Sequence, residues 1–244
     1  MSYHDQDADI YLQWSESDTP YRILEWYVFL RTIGSVRGLN VLDLACGDGR
    51  VPRALMERGA AWVVGTDISS KMIEEARALN SPGGDGPHFE HLRYEVVDAC
   101  NQTWTLDPKA DLVTAMYLFH YASNEDDLFK MCHQIGRSLK GGGRFVTYTV
   151  NPDYDFEKQY PDMEKEFGFR YRIVAPPKYE LIIGGFAADI WQWGKSVHEE
   201  GLKEAGLKNI RWHPLELPPE HQELEPQVEW YLKNPSLIVL SASK

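Results

Sequence analysis

Basic residues are in the minority along this 244-residue chain: 25 Lys and Arg stand against 37 Asp and Glu, a net charge of −12. A surface of that sign lacks the positive footprint that neutralises phosphates, which argues against DNA or RNA as a partner. Cysteine is scarce too. Cys46, Cys100 and Cys132 make an odd count of 3 with no close pair, which argues against a disulfide framework and a zinc site and points to a reducing compartment. No apolar run reaches the roughly 20 residues that span a bilayer, and the polar, acidic residues 1–9 do not read as a secretory leader. The expectation is a soluble, cytoplasmic protein, monomer or homodimer, with no membrane partner, no nucleic acid and no metal. Internal repeats and low-complexity tracts are absent. Two nucleotide-binding signatures are missing as well: Ala45 stands where G-x-G-x-x-G needs its first glycine, and no Gly-Lys-Ser/Thr follows the turn to make a phosphate loop.

What is present is alternation. Asn40–Ala45, Trp62–Thr66, Leu92–Val97, Leu112–Leu118 and Arg144–Val150 read as five apolar strands. Between them, about Arg50–Arg58, Ser70–Leu79 and Glu125–Leu139 read as helices, the last stopped by Gly141-Gly142-Gly143. A glycine-rich loop is expected over residues 81–87. Ahead of the alternation, Tyr21–Ile33 carries apolar residues at helical spacing, with Thr19 as N-cap and Pro20 in the first turn. After it, about residues 151–194 break the pattern: Tyr171–Val174 and Tyr179–Ile183 suggest a hairpin-like insertion. A helix from Lys195 to Ala205, closed by Gly206, then leads to strands at Ile210–Leu217 and Ser236–Ala242. Such alternation implies an α/β fold with a parallel sheet between layers of helices. A chain of this length builds one such domain with a sizeable core.

Val41-Leu42-Asp43-Leu44-Ala45-Cys46-Gly47-Asp48-Gly49 runs from a buried strand into a glycine-containing turn and then a helix. Asp43-Leu44-Ala45-Cys46-Gly47-Asp48-Gly49 resembles the first motif of the class I S-adenosylmethionine-dependent methyltransferases, an acidic residue followed by G-x-G-x-G, with Ala45 as the departure. The resemblance covers about residues 35–150. It implies a Rossmann-like, mostly parallel seven-stranded sheet with helices on both faces and an antiparallel last strand. Residues 1–34 are then an N-terminal lead and capping helix, and residues 35–244 are the methyltransferase domain, with an acceptor-side insertion at about 151–194.

The expected cofactor is S-adenosyl-L-methionine, leaving as S-adenosyl-L-homocysteine. Strand two ends in Asp67, whose carboxylate at the sheet edge suits two ribose hydroxyls, as in dinucleotide folds. Asp67 could instead cap the following helix, a duty that Ser69 or Ser70 serves equally well. Ile68 and Met72 would flank adenine. The resemblance assigns the adenine amino group to Asp98 and a ring nitrogen to the Ala99 N–H. It sets Asp43 near the methionine ammonium, with Ala45 and Gly47 forming the turn around the tail. Met116 and Tyr117, leaving strand four, face the donor methyl.

Met116-Tyr117-Leu118-Phe119-His120-Tyr121 resembles the family segment often reading Leu-His-His. Tyr117 and His120 are the candidate catalytic residues; an imidazole is a competent general base, and a structural His120 bonded to local backbone is the plain alternative. Methyl transfer needs mainly alignment, so no triad is expected. Tyr11, Trp14, Tyr21, Tyr121, Trp191 and Trp193 are the candidate acceptor-binding residues, set among further aromatics of the lead and insertion (Tyr3, Tyr154, Phe156, Tyr160, Phe167, Phe169, Tyr171 and Phe186). Leu42–Gly47, the stretch from Gly59 to Ile73, Val146–Asp153 and Trp193 look like the toxoflavin-type N-methyltransferases. The implied function is methylation of a small planar heterocycle, on nitrogen by preference. A C- or O-methyltransferase of a quinone, polyketide or other small metabolite is the alternative, and a non-catalytic S-adenosylmethionine-binding module the third reading. Arg170, Arg172 and Lys178 keep an anionic acceptor open.

Overall fold

Successive residues on the central strands go to opposite faces, and the apolar ones divide accordingly. Val41, Val63, Leu112, Val146 and Val239 join one buried cluster, while Leu42, Val64, Val113, Phe145 and Leu240 join another. That period of two marks a sheet covered on both sides. The computed structural model describes residues 19–83, 87–184 and 186–244. Its main strands are β1 (Asn40–Leu44), β2 (Trp62–Asp67), β3 (Leu92–Val96), β4 (Ala110–Met116), β5 (Leu139–Val150), β9 (Lys208–His213) and β10 (Leu237–Ser243). They form a seven-stranded sheet in the order β3-β2-β1-β4-β5-β10-β9. The first five run parallel, and β10 is antiparallel to both β5 and β9.

The first cluster takes buried residues from α1 (Pro20–Ile33), α2 (Arg50–Glu57), α3 (Ser70–Leu79), α5 (Met163–Phe167) and α7 (Glu225–Lys233). The second takes them from α4 (Glu125–Ser138) and α6 (Lys195–Glu204). α1 starts as its sequence requires: Pro20 sits in the first turn, and the Thr19 side chain accepts from Arg22 N at 3.3 Å.

Three expectations need correction. α4 does not run to the glycine triplet: it stops at Ser138, and Leu139 is already extended (φ −83°, ψ 140°). Leu139 is fully buried, so the chain must leave the helix there to seat it, and the glycines lie inside β5. Leu139 pairs with Ala110 and Arg144 with Leu112, so residues 140–143 loop out of register, with Gly142 at φ +81°. The insertion is not a hairpin but a three-stranded antiparallel sheet, β6 (Phe169–Ala175), β7 (Lys178–Ile183) and β8 (Phe186–Trp191). β8 alternates buried and half-buried positions, but Ala187 and Ala188 mute its apolar pattern. Lastly, the acidic stretch before β10 contains α7, which buries only Val228 and Tyr231, too few residues to leave a periodic signature.

The small sheet, α1 and α7 meet on the first face of the large one. The Tyr21 ring lies 5.1 Å from Phe169, 5.2 Å from Tyr231 and 5.8 Å from Phe167, centre to centre. α1 itself packs on β5 and β10.

Candidate functional site

The carboxyl ends of the parallel strands open on a cavity of about 260 Å³ lined by Ala45, Gly47, Asp67, Ile68, Met72, Asp98, Ala99, Met116 and Tyr117. Every residue expected on the donor side is there except Asp43. The turn after β1 is wound left-handed: Ala45 has φ +54°, Gly47 +54° and Gly49 +82°. Ala45 thus adopts the conformation its missing glycine would have taken. Gly49 has no such freedom of replacement, because a Cβ there would lie 2.2 Å from the Tyr94 hydroxyl. At Gly47, by contrast, a Cβ would meet open space.

Asp67 ties the turn to β2. Its Oδ2 accepts from Gly47 N at 2.9 Å and its Oδ1 from Ser69 N at 2.9 Å. The helix cap belongs to Ser69, whose hydroxyl accepts from Met72 N at 3.2 Å, so Asp67 does not cap α3. Asp98 repeats this turn geometry on the next strand, its Oδ1 accepting from Cys100 N at 2.8 Å.

Asp43 does not line the cavity. It is buried, and Thr114 Oγ1 donates to its Oδ1 at 2.5 Å. Its Oδ2 has no partner among the described residues. Burial pushes this carboxyl up to about 8; the Asp67 charge adds to the rise and the Thr114 bond opposes it.

Tyr117 and Tyr121 line the large cavity together with Leu118 and Phe186. They also line a second, smaller one of about 30 Å³, with Tyr21, His120, Phe169, Tyr171, Ile183, Ile190 and Leu237 around it. Tyr117 holds φ +65°, unusual for a bulky residue; its N–H donates to Tyr148 O at 2.8 Å. His120 is buried, its ring 4.5 Å from that of Tyr121.

Trp191 and Trp193 line neither cavity. Trp191 occupies an outward position of alternating β8 with the Lys178 ammonium 5.6 Å from its ring. Trp193 packs in the second core cluster and donates to Ala122 O at 2.9 Å. Tyr3, Tyr11 and Trp14 fall outside the described residues. The three cations of the insertion form no anion site: Arg170 pairs with Glu164 (2.9 Å), Lys178 with Asp189 (2.7 Å) and Arg172 with Glu180.

Sequence reasoning missed Val97, Cys100, Asp127 and Met131 in the large cavity. It also missed a buried charged pair on α1, Arg22 and Glu25. Two opposite charges three residues apart in the otherwise uncharged stretch Tyr21–Leu30 were the available signal.

A family model described as a methyltransferase domain matches residues 41–143. The chain is 30% identical over 146 residues to an uncharacterized protein of Haemophilus influenzae, covering 59% of this chain and 54% of that one. It is 26% identical over 184 residues to a ubiquinone biosynthesis O-methyltransferase of Coxiella burnetii, covering 74% and 70%. Among solved structures, an S-adenosylmethionine-dependent methyltransferase from Mesorhizobium loti superposes with a TM-score of 0.66 at 23% identity, covering 91% of this chain and 98% of that one; at that identity the likeness is one of fold. Among the described residues, no helix is long and apolar enough to cross a membrane.

The residues present fit a nucleoside with a cationic amino-acid tail. Carboxylates end two successive strands at the cavity, a glycine leaves room where a side chain would intrude, and β1 carries a buried carboxylate oxygen without a partner among the described residues. Strand order and the match of residues 41–143 to a methyltransferase domain give the chain a class I S-adenosylmethionine-dependent methyltransferase fold, with a cavity that suits that cofactor.

Proposed function

We propose that the chain methylates a small, planar, uncharged acceptor, on a ring nitrogen by preference. The observation that carries this reading is the pair of cavities that share Tyr117 and Tyr121 in their walls, one edged by carboxylates and the other walled by aromatic and aliphatic side chains. S-adenosylmethionine, when bound, supplies a methyl group already activated by its sulfonium.

The protein's own residues do the rest. Asp67 accepts from the ribose hydroxyls with lone pairs not used by Gly47 and Ser69. Asp98 and the Ala99 amide read adenine, between Ile68 and Met72. Gly47 and the buried Asp43 hold the amino-acid end, where a charge-assisted contact is strongest. Tyr117, Tyr121 and Phe186 clasp the flat face of the acceptor and keep water out, and such alignment is worth roughly 7–11 kcal/mol of barrier. The cavity behind Tyr117 has room for about one or two water-sized groups, so it takes a substituent of the acceptor rather than its ring. His120 lines that cavity and not the large one, so it meets the acceptor's substituent rather than its ring nitrogen.

The named activity of the Coxiella relative favours a second reading, O-methylation of a phenolic acceptor. Donor binding is tested by calorimetry with S-adenosylhomocysteine, against which Asp67→Ala should weaken affinity at least about 10-fold, as the loss of a charge-assisted bond implies. An unchanged dissociation constant contradicts the ribose assignment. The acceptor is tested by label transfer from the donor to panels of N-heterocycles, catechols and aliphatic acids. Labelling of the acids alone refutes the planar, uncharged acceptor.

A further inference from the structure

Arg22 and Glu25 face inward from α1, with only 7% and 1% of their side chains exposed. Arg22 Nη1 reaches Glu25 Oε1 and Oε2 at 3.0 Å each, and it also donates to the Tyr117 hydroxyl at 3.3 Å. Burial raises the Glu25 carboxyl above its ordinary range, and the Arg22 charge opposes the rise, helped by the nearby Tyr117 and Tyr21 hydroxyls. The Tyr117 phenol is therefore bonded to one member of a buried ion pair and lies beside the other, next to a wall of aromatic and aliphatic side chains.

A buried pair of this kind adds little stability over apolar side chains of the same size, because two charges have been taken out of water to form it. It does fix direction, through charge-assisted bonds that tolerate little displacement. Tyr117 needs fixing. It sits in a left-handed backbone conformation, which persists in a bulky residue only where the surroundings over-determine it. Its backbone is pinned to β5 through Tyr148, and its ring forms part of the wall of both cavities. Because the ring forms part of both walls, a displacement of it changes the shape of both cavities.

We infer that Arg22 and Glu25 are positioning residues of the acceptor site, holding the Tyr117 phenol in the wall that the two cavities share. The inference rests on the reading of Tyr117 as the residue that meets the acceptor. It ties a helix ahead of the methyltransferase domain match to the alignment of the transfer.

The test is the double variant Arg22→Met/Glu25→Met, which replaces both charges by apolar side chains of similar reach. Its expected behaviour is a melting temperature near that of the wild type or above it, and an S-adenosylhomocysteine affinity within about 3-fold. kcat with any acceptor turned over should fall about 10- to 100-fold, the scale of a misplacement near 1 Å. Against a Tyr117→Phe background the double substitution should add almost nothing, since residues acting as one unit are not additive. Full kcat in the double variant, or a loss that multiplies in the Tyr117→Phe background, overturns the inference.

A second readout needs no acceptor. With 3-fluorotyrosine at position 117, the fluorine resonance should be single and narrow in the otherwise unaltered protein, and broadened or split in the double variant. An unchanged shift and width overturns the inference even if no acceptor is ever found, whereas absence of methyl transfer by the wild type counts against the proposed function alone. Should the double variant fail to fold, Arg22→Met serves for both readouts, because an unpaired buried Glu25 takes up a proton rather than staying charged.

Discussion

At the scale of single residues, the donor end of the site is built from two departures from ordinary behaviour, one in charge and one in backbone. Asp43 binds its proton up to about pH 8 in the fold, against an ordinary value of 3.8. The folded form thus holds the proton more tightly than the unfolded chain. The stability this provides is complete below about pH 4 and drains away as pH rises toward 8. Asp43→Asn keeps the shape and a bond to Thr114 but removes the titration. Urea midpoints taken from pH 5 to 9 should therefore fall less steeply in the variant, which gains at least about 1 kcal/mol on the wild type by pH 9. A cation beside Asp43 reverses the balance, so donor binding at pH 7 should release protons, seen as a dependence of calorimetric enthalpy on buffer ionisation; parallel pH profiles and no proton release would refute the role. Ala45, at φ +54°, pays a left-handed penalty of roughly 1–2 kcal/mol, which glycine avoids while losing about 0.4–1 kcal/mol through its freer unfolded chain. Ala45→Gly should stay within about 1 kcal/mol of the wild type and retain S-adenosylhomocysteine binding. Ala45→Val, branched at the strained position, should lose both by thermal melting and calorimetry.

At the scale of elements, the second face of the sheet depends on two glycines that let α4 and α6 touch. A Cβ on Gly136 would lie 2.2 Å from Ala205 O, and one on Gly201 would lie 2.9 Å from Phe129 Cδ1. Overpacking of this sort costs about 1–3 kcal/mol, so Gly136→Ala should lower the urea midpoint by that amount and leave donor affinity within about 3-fold; a neutral substitution would mean the helices part without cost. Such contacts were not legible in the sequence, whereas the presence and order of β1 to β5 and α2 to α4 were, because each carries its own periodicity; the glycine triplet misplaced only the boundary between α4 and β5. The edge of the large cavity was legible for the same reason: Gly47, Asp67 and Asp98, which line it, follow directly from strand ends. The small cavity is different. Tyr21, Tyr117, Phe169 and Leu237 come from four separate elements, and no local pattern brings them together. Nor does one give Tyr117 its positive φ, a conformation that tertiary contacts impose on it. β8 and α7 escaped because short elements with two or three buried positions are not distinguishable from loops by period.

At the scale of the whole molecule, charge and shape both favour the neutral acceptor proposed above. A chain with a net charge of −12 repels anions at a distance, and the cations on the insertion that could have offset this are each engaged by a neighbouring carboxylate on half-exposed surface. Ion pairs in such positions are worth about 0–1 kcal/mol and are screened by salt. Two consequences separate a neutral acceptor from an anionic one. Acceptor KM should be nearly constant between about 0.05 and 0.5 M salt, where screening would remove any long-range attraction or repulsion. The triple variant Arg170→Gln/Arg172→Gln/Lys178→Gln should leave that KM within about 2-fold, as expected for pairs of that strength. Phe186→Ala should behave oppositely: Phe186 is buried at the start of β8 and lines the large cavity beside Tyr117 and Tyr121. Removing its ring takes away roughly 1.5–3 kcal/mol of apolar contact, raising acceptor KM by about 10-fold or more while donor affinity changes less. A KM that responds to the three cations and not to Phe186 would move the acceptor from the aromatic wall to the outer sheet, and with it the chemistry from a flat neutral ring to an anion.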